Sequence, residues 1–140
     1  MREIKFRAWD KVNKKMYPVT YLSLTDKRLT MFALPKKGNE PWEEMGVPGN
    51  QIELMQFTGL KDKNGKEIYE GDILVVWNNK DLDLTMILKS FGASEIYWDE
   101  GNACFAHKRK DGNYMMLTKN EMSKMEVIGN SFENPELLER

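Results

Sequence analysis

A chain of 140 residues, 41% of them hydrophobic, is long enough for one folded domain with a real core, and that composition excludes a disordered tail. One cysteine excludes an intramolecular disulfide, and no apolar run approaches the ~20 residues that span a bilayer. The net charge of −1 hides an asymmetry: residues 1–40 hold ten Lys/Arg against four Asp/Glu, a net of +6, and residues 41–140 hold eleven against eighteen, a net of −7. Such a split lets the two parts attract each other, within one chain or between subunits, or gives the first part an anionic partner. The opening Met1 to Arg7 lacks the continuous apolar stretch of a signal peptide, so we expect a reduced, cytoplasmic protein.

Ile4 to Trp9 alternates with period two and reads as a half-buried strand, with Ile4, Phe6 and Ala8 on one face and Lys5, Arg7 and Trp9 on the other. Asp10 to Lys15 turns. Met16 to Val19 returns as a strand that Pro18, which donates no hydrogen bond, should confine to an edge. Tyr21–Leu24 and Leu29–Phe32 flank a polar tetrapeptide, a hairpin in outline. Pro35 to Asn50, with three glycines and three prolines, reads as a surface loop, in which Trp42 either pins the loop or caps a ligand site. Ile52 to Phe57 is the next strand, with Ile52, Leu54 and Gln56 on one face.

Lys63-Asn64-Gly65 and Glu70-Gly71-Asp72 supply two tight turns, because Asn and Gly accept positive φ at little cost. Ile73 to Trp77 is a continuous apolar run, too short for a helix, and reads as a buried strand. Leu82 to Phe91 fits either helix or strand. Glu95–Trp98 and Ala103–His107 form a hairpin around Asp99–Asn102. Tyr114–Leu117 follows another turn, Lys119–Lys124 a helical turn, and Glu126–Asn130 a last strand. Asn134 precedes Pro135 as an N-cap precedes a first helical residue, so one helical turn should end the chain. No repeat, low-complexity tract or linker interrupts 1–140. The whole predicts a mainly β single domain, a sandwich or partly open barrel of short antiparallel strands with a few helical turns.

Three stretches carry a resemblance: Arg2 to Asp10; Gln56 to Asp62 continuing through Glu70-Gly71-Asp72-Ile73; and Val127-Ile128-Gly129-Asn130 with Glu133 to Leu138. In this order they resemble the YopX-like family of phage and prophage proteins. The central stretch is the most specific, and Gly59, Asp62, Asn64, Gly65, Glu70, Gly71 and Asp72 are its structural residues. The resemblance implies a bacteriophage or prophage origin, a mostly β fold and homo-oligomers. It supplies no catalytic residues, because the family has no assigned activity.

The chemistry is sparse. Placing Gly65 at the sixth position of a calcium loop puts Leu60 at the first and Gly71 at the twelfth, neither a side-chain ligand, so Asp62 and Asn64 belong to a hairpin turn. Cys104 and His107 lie three apart on a strand and so face opposite sides. We read them as a buried thiol and a surface imidazole, and one of each makes no structural zinc site. No phosphate loop or dinucleotide fingerprint is present. The leading expectation is a non-enzymatic, self-associating module with a host or phage protein partner, needing no metal or cofactor and no membrane. Ten Met and four Trp suit protein contacts, although Met also fills core gaps. The second reading is a nucleic-acid binder that uses Lys5, Arg7, Trp9, Lys14 and Lys15 for phosphate attraction and base stacking. A hydrolase using paired acidic residues ranks third.

Overall fold

The computed structural model describes residues 1–22, 29–34, 43–77, 81–109 and 111–139, except for the side chains of Tyr21, 29–34 and 43–48. Contacts cluster into two units, one of Met1 and Glu3–Gln56, the other of Arg2 and Phe57–Arg140. In the first unit, strands β1 (Phe6–Asp10) and β2 (Lys15–Leu22) form an antiparallel hairpin that sets Arg7 opposite Pro18. Asp10 builds the turn. Its Oδ1 accepts the N–H groups of Val12 (2.9 Å) and Asn13 (3.1 Å), and Oδ2 accepts the Asn13 side-chain amide at 2.7 Å. That side-chain bond, ahead of the backbone ones, holds the buried carboxyl below its ordinary range.

Strands β3 (Leu29–Leu34), β4 (Glu43–Pro48) and β5 (Ile52–Lys61) extend the sheet in the order β4-β3-β2-β1-β5. Three expectations are corrected here. Residues 16–22 are one strand, kinked by a register shift between Val19 and Tyr21, and β2 is interior instead of edge. Pro18 is tolerated because pairing with β3 begins only at Val19, so the missing N–H disturbs no ladder on that side. The Pro/Gly-rich stretch is not all loop: Glu43–Pro48 pairs with β3 from Leu34 to Leu29. In β5 the buried residues are Ile52, Met55 and Phe57 while Leu54 is exposed, so the strict alternation read from the sequence fails. The turn between β2 and β3, and Trp42, lie outside the described residues.

In the second unit β5 runs on and pairs with β6 (Glu67–Tyr69) across a register shift between Phe57 and Lys61, where Gly59 takes φ 85°. The other strands are β7 (Asp72–Val76), β8 (Ser94–Asp99), β9 (Cys104–Lys108), β10 (Tyr114–Met116) and β11 (Met125–Asn130). They form an antiparallel sheet in the order β10-β9-β8-β7-β11. Neither sheet closes into a barrel, and the architecture is mainly β, as expected.

The apolar run of β7 is buried on both faces. Leu74 points into a cluster with Ile68, Ile96, Met122, Met125 and Val127; Ile73 and Val75 point into another with Ile87, Leu88 and Ala93. Burying each such side chain contributes roughly 1.5–3 kcal/mol. The ambiguous segment is helical: α1 (Leu84–Ser90) is capped by Asp83, whose Oδ1 accepts the Met86 N–H at 2.8 Å, and it sets Ile87 and Leu88 on the sheet. A second short helix, α2 (Lys119–Met122), is capped by Thr118. Pro135–Leu137 makes the final helical turn, but Asn134 makes no side-chain cap bond. Its Oδ1 instead accepts the Asn130 N–H at 3.3 Å.

The family-like motifs have structural explanations. Buried Asp62 accepts the N–H groups of Asn64 (2.8 Å) and Lys66 (2.9 Å) on Oδ1, and that of Val127 (3.0 Å) on Oδ2. Gly65 and Gly71 take φ 82° and 78°, as the turn chemistry predicts. Asp72 Oδ2 accepts the Tyr69 N–H at 2.8 Å, and Gly71 bonds Ile96 and Ser131 through its backbone. Asn130 Oδ1 accepts from the N–H groups of Phe132 and Glu133, and its amide donates to Glu133 Oε2 at 2.6 Å.

Gly71→Ala forces an L side chain into the left-handed region and should lose ~1–2 kcal/mol. Gly129→Ala should also destabilise, because its Cβ would stand 2.5 Å from Asn134 Oδ1. Thermal melts test both. An unchanged midpoint in either variant would contradict the corresponding packing or turn assignment.

Candidate interaction site

One terminal strand of the second unit's sheet is β10, which pairs only with β9 among the described residues and has Tyr114, Met115 and Met116 all exposed. Its hydrogen-bond phase follows from its flanks. Arg109 N–H donates to Asn113 O at 3.0 Å and Leu117 N–H to Phe105 O at 3.1 Å. Antiparallel alternation then points the backbone groups of Met115 at His107 of β9 and those of Tyr114 and Met116 outward.

Beside this edge lies a groove of about 650 Å³, lined by Val76, Met115, Met116, Met125, Glu121, Lys124 and Arg109, among others. Its walls are positioned by polar contacts. His107 is wholly buried on β9, and its Nε2–H donates to Glu121 Oε1 of α2 at 3.0 Å. Its Nδ1 has no hydrogen-bond partner among the described residues. The Thr118 hydroxyl oxygen accepts the Glu121 N–H at 3.2 Å, fixing the start of α2. Arg109 is half-buried and also borders two smaller concavities. Neither Arg109 nor Lys124 has a side-chain hydrogen bond or ion pair among the described residues. The groove therefore presents two uncommitted cations, one anchored carboxylate and a methionine lining.

A second polar cluster crosses the same strands. Tyr114 Oη donates to Asp99 Oδ2 at 2.6 Å, Asn102 Nδ2 donates to the same oxygen at 2.7 Å, and Cys104 Sγ lies 3.6 Å from the phenol. The hydrogen bond to Asp99 is the main reason the Tyr114 phenol is pushed above its ordinary value of 10. The bond from Tyr114, then that from Asn102, holds the Asp99 carboxyl below 3.8. Trp98, itself exposed, packs edge-on to Phe105 with ring centres 5.0 Å apart.

The residues singled out from the sequence fall elsewhere. Lys5 pairs with Glu3 at 2.9 Å, Arg7 is half-buried, and Lys14 and Lys15 are exposed at the hairpin turn, Lys14 with φ 55°. Trp9 is 7% exposed, so its ring offers no face to a base, and the basic strand lacks its stacking platform. Cys104 and His107 reverse the expectation: the imidazole is buried and the thiol only half-buried. Each has its own partner, so they form no nucleophile–base pair. No group of three His, Cys, Asp or Glu able to hold a metal occurs among the described residues. No helix among them is long and apolar enough to cross a membrane. Sequence reasoning missed Arg109, Lys124 and Glu121. The available signal was the adjacent pair Met115-Met116, which no alternating half-buried strand explains.

The sequence profile of the YopX protein family matches residues 5–139. The chain belongs to the YopX family. Its fold resembles that of protein EF1440 from Enterococcus faecalis, at 29% identity and a TM-score of 0.61, with 99% of each chain covered. The protein yopX from Bacillus subtilis has the same fold, at 23% identity and a TM-score of 0.51, covering 97% of this chain and 96% of that one. No curated protein matches significantly. The YopX family is of unknown function, so membership establishes the fold, and any functional reading rests on the site geometry.

Two measurements probe the site's wiring. Glu121→Ala leaves both ring nitrogens of buried His107 unpaired and should destabilise by ~1–3 kcal/mol, whereas adding His107→Leu should recover much of that loss. A double-mutant cycle of melts with no coupling would contradict the pairing. For Asp99, a lowered folded value means its stabilising contribution is complete above about pH 3.8 and is lost as pH falls through the folded value. Tyr114→Phe should raise the Asp99 titration midpoint seen by carboxyl NMR and shrink that acid-range loss. An unmoved midpoint would assign the effect to Asn102 and the backbone alone.

Proposed function

We propose that this YopX-family chain is a non-enzymatic protein-interaction module, encoded by a phage or prophage and acting in the cytoplasm of the bacterial host. The observation that carries the reading is the outer edge of β10, unpaired among the described residues, with Tyr114, Met115 and Met116 exposed beside a concave, methionine-lined surface. Methionine is unbranched and adapts to varied partners, and both Met and Tyr are enriched where proteins meet. The reactive groups support a non-enzymatic role by their engagements: Tyr114 with Asp99, His107 with Glu121, Asp62 with three backbone amides.

Self-association is part of the proposal and rests on the charge split of +6 and −7 along the chain. Sedimentation at low ionic strength should show an oligomer that salt weakens, because screening shortens the reach of such attraction. A monomer at every protein concentration would remove this part.

Nucleic-acid binding through β1 ranks below protein binding because Trp9 is buried. Trp9→Ala should lower the melting temperature, and single-stranded oligonucleotides should not bind at any salt. The interaction itself is tested by affinity capture from bacterial lysate with nuclease present. A protein retained by the wild type and lost with Met115→Ser/Met116→Ser supports the reading. A catch that vanishes on nuclease treatment replaces it with nucleic acid.

A further inference from the structure

We infer that the β10 edge and its groove take an acidic, extended polypeptide segment, added to the sheet as a further strand. This rests on the interaction-module reading and names its ligand class. The backbone supplies the first argument. The N–H and C=O groups of Tyr114 and Met116 point away from β9 and have no backbone partner among the described residues. That pattern accepts one residue of an incoming strand at each of two positions, with the intervening side chain turned toward the groove.

Charge supplies the second argument. Arg109 and Lys124 line the groove with no side-chain partner among the described residues. Arg109 is half-buried and lines the groove, where its guanidinium can meet a carboxylate in a charge-assisted hydrogen bond. Two cations against one carboxylate leave the groove net positive.

Glu121 decides between a peptide and a phosphate chain. Its Oε1 is occupied by His107, and the carboxylate remains in the groove as an acceptor. A peptide backbone has N–H groups to donate to it; a phosphate backbone has none. The apolar lining of Val76, Met115 and Met116 fits a segment that alternates acidic with apolar side chains. Three residues is a short edge, so pairing alone adds little and the groove contacts must supply most of the affinity.

The experiment uses the full chain and a labelled, end-capped hexapeptide alternating Leu with Glu, compared with versions carrying Gln or Lys in place of Glu. The Glu peptide should bind best, the Gln peptide more weakly, and the Lys peptide not measurably. Arg109→Gln and Lys124→Gln, at unchanged melting temperature, should each weaken the Glu peptide about tenfold, the scale of one charged hydrogen bond. N-methylation of the peptide at alternate residues should abolish binding in one register and spare it in the other. Equal affinity for the Glu and Gln peptides, with sensitivity to Met115→Ser/Met116→Ser retained, overturns the acidic class and leaves the interaction reading standing. Displacement of the Glu peptide by single-stranded DNA at equal charge overturns the peptide class. If no peptide binds and the methionine substitutions leave lysate capture unchanged, both readings fall together.

Discussion

The second unit depends on one buried carboxylate. Asp62 accepts two amides of its own turn and, on its other oxygen, the amide of Val127, which lies 65 residues further along the chain. A buried carboxyl group is tolerated only when its oxygens find donors, and here three backbone N–H groups reach the two oxygens. The turn is stitched to β11 twice more. Lys63 N–H donates to Met125 O at 2.9 Å, and Lys63 Nζ pairs with Glu126 at 2.9 Å while lying 4.8 Å from the Trp77 ring centre. The start of β11 is therefore fixed by the β5–β6 turn, and that start carries Met125, which is both core and groove floor.

The same logic holds the groove's opposite wall. His107 cannot reach water, so its one hydrogen bond to Glu121 ties α2 to β9. Its Nδ1, without a hydrogen-bond partner among the described residues, costs on the order of 1–3 kcal/mol. The imidazole keeps Glu121 in place at the rim of a site whose cations are left uncommitted. Stability is spent on the frame, and the two charges facing the groove remain available.

Much of the fold was legible because local chemistry dictated it. Gly65 and Gly71 announce turns by the φ values only glycine adopts readily, and the continuous apolar run Ile73–Val76, rich in β-branched residues, announces a buried strand. What misled was tertiary pairing. Pro18 is harmless in an interior strand because the neighbouring ladder starts one residue later, a register the sequence does not encode locally. Glu43–Pro48 has little β-propensity and becomes a strand because β3 offers a partner. Leu82–Phe91 was ambiguous because its apolar residues suit both periods. The Asp83 cap and the burial of Ile87 and Leu88 select the helix.

The site was less legible than the fold for a physical reason. Lys5, Arg7 and Trp9 satisfied a pattern of basic and aromatic residues along one strand face, but burial of Trp9 removes the ring from use. Arg109, Lys124 and Glu121 come from β9's end, the residue before β11, and α2, so no short motif contains them. They meet because Met122 and Met125 anchor α2 and β11 in one apolar cluster with Leu74 and Ile96. Core packing thus selects which polar side chains meet at the surface. Methionines serve both sides of that arrangement: Met122 and Met125 are buried, while Met115 and Met116 are exposed. An unbranched, polarizable side chain suits both an irregular core and a surface that must fit another chain. Composition alone could not separate the two uses; burial does, with Met122 and Met125 in the core and Met115 and Met116 exposed.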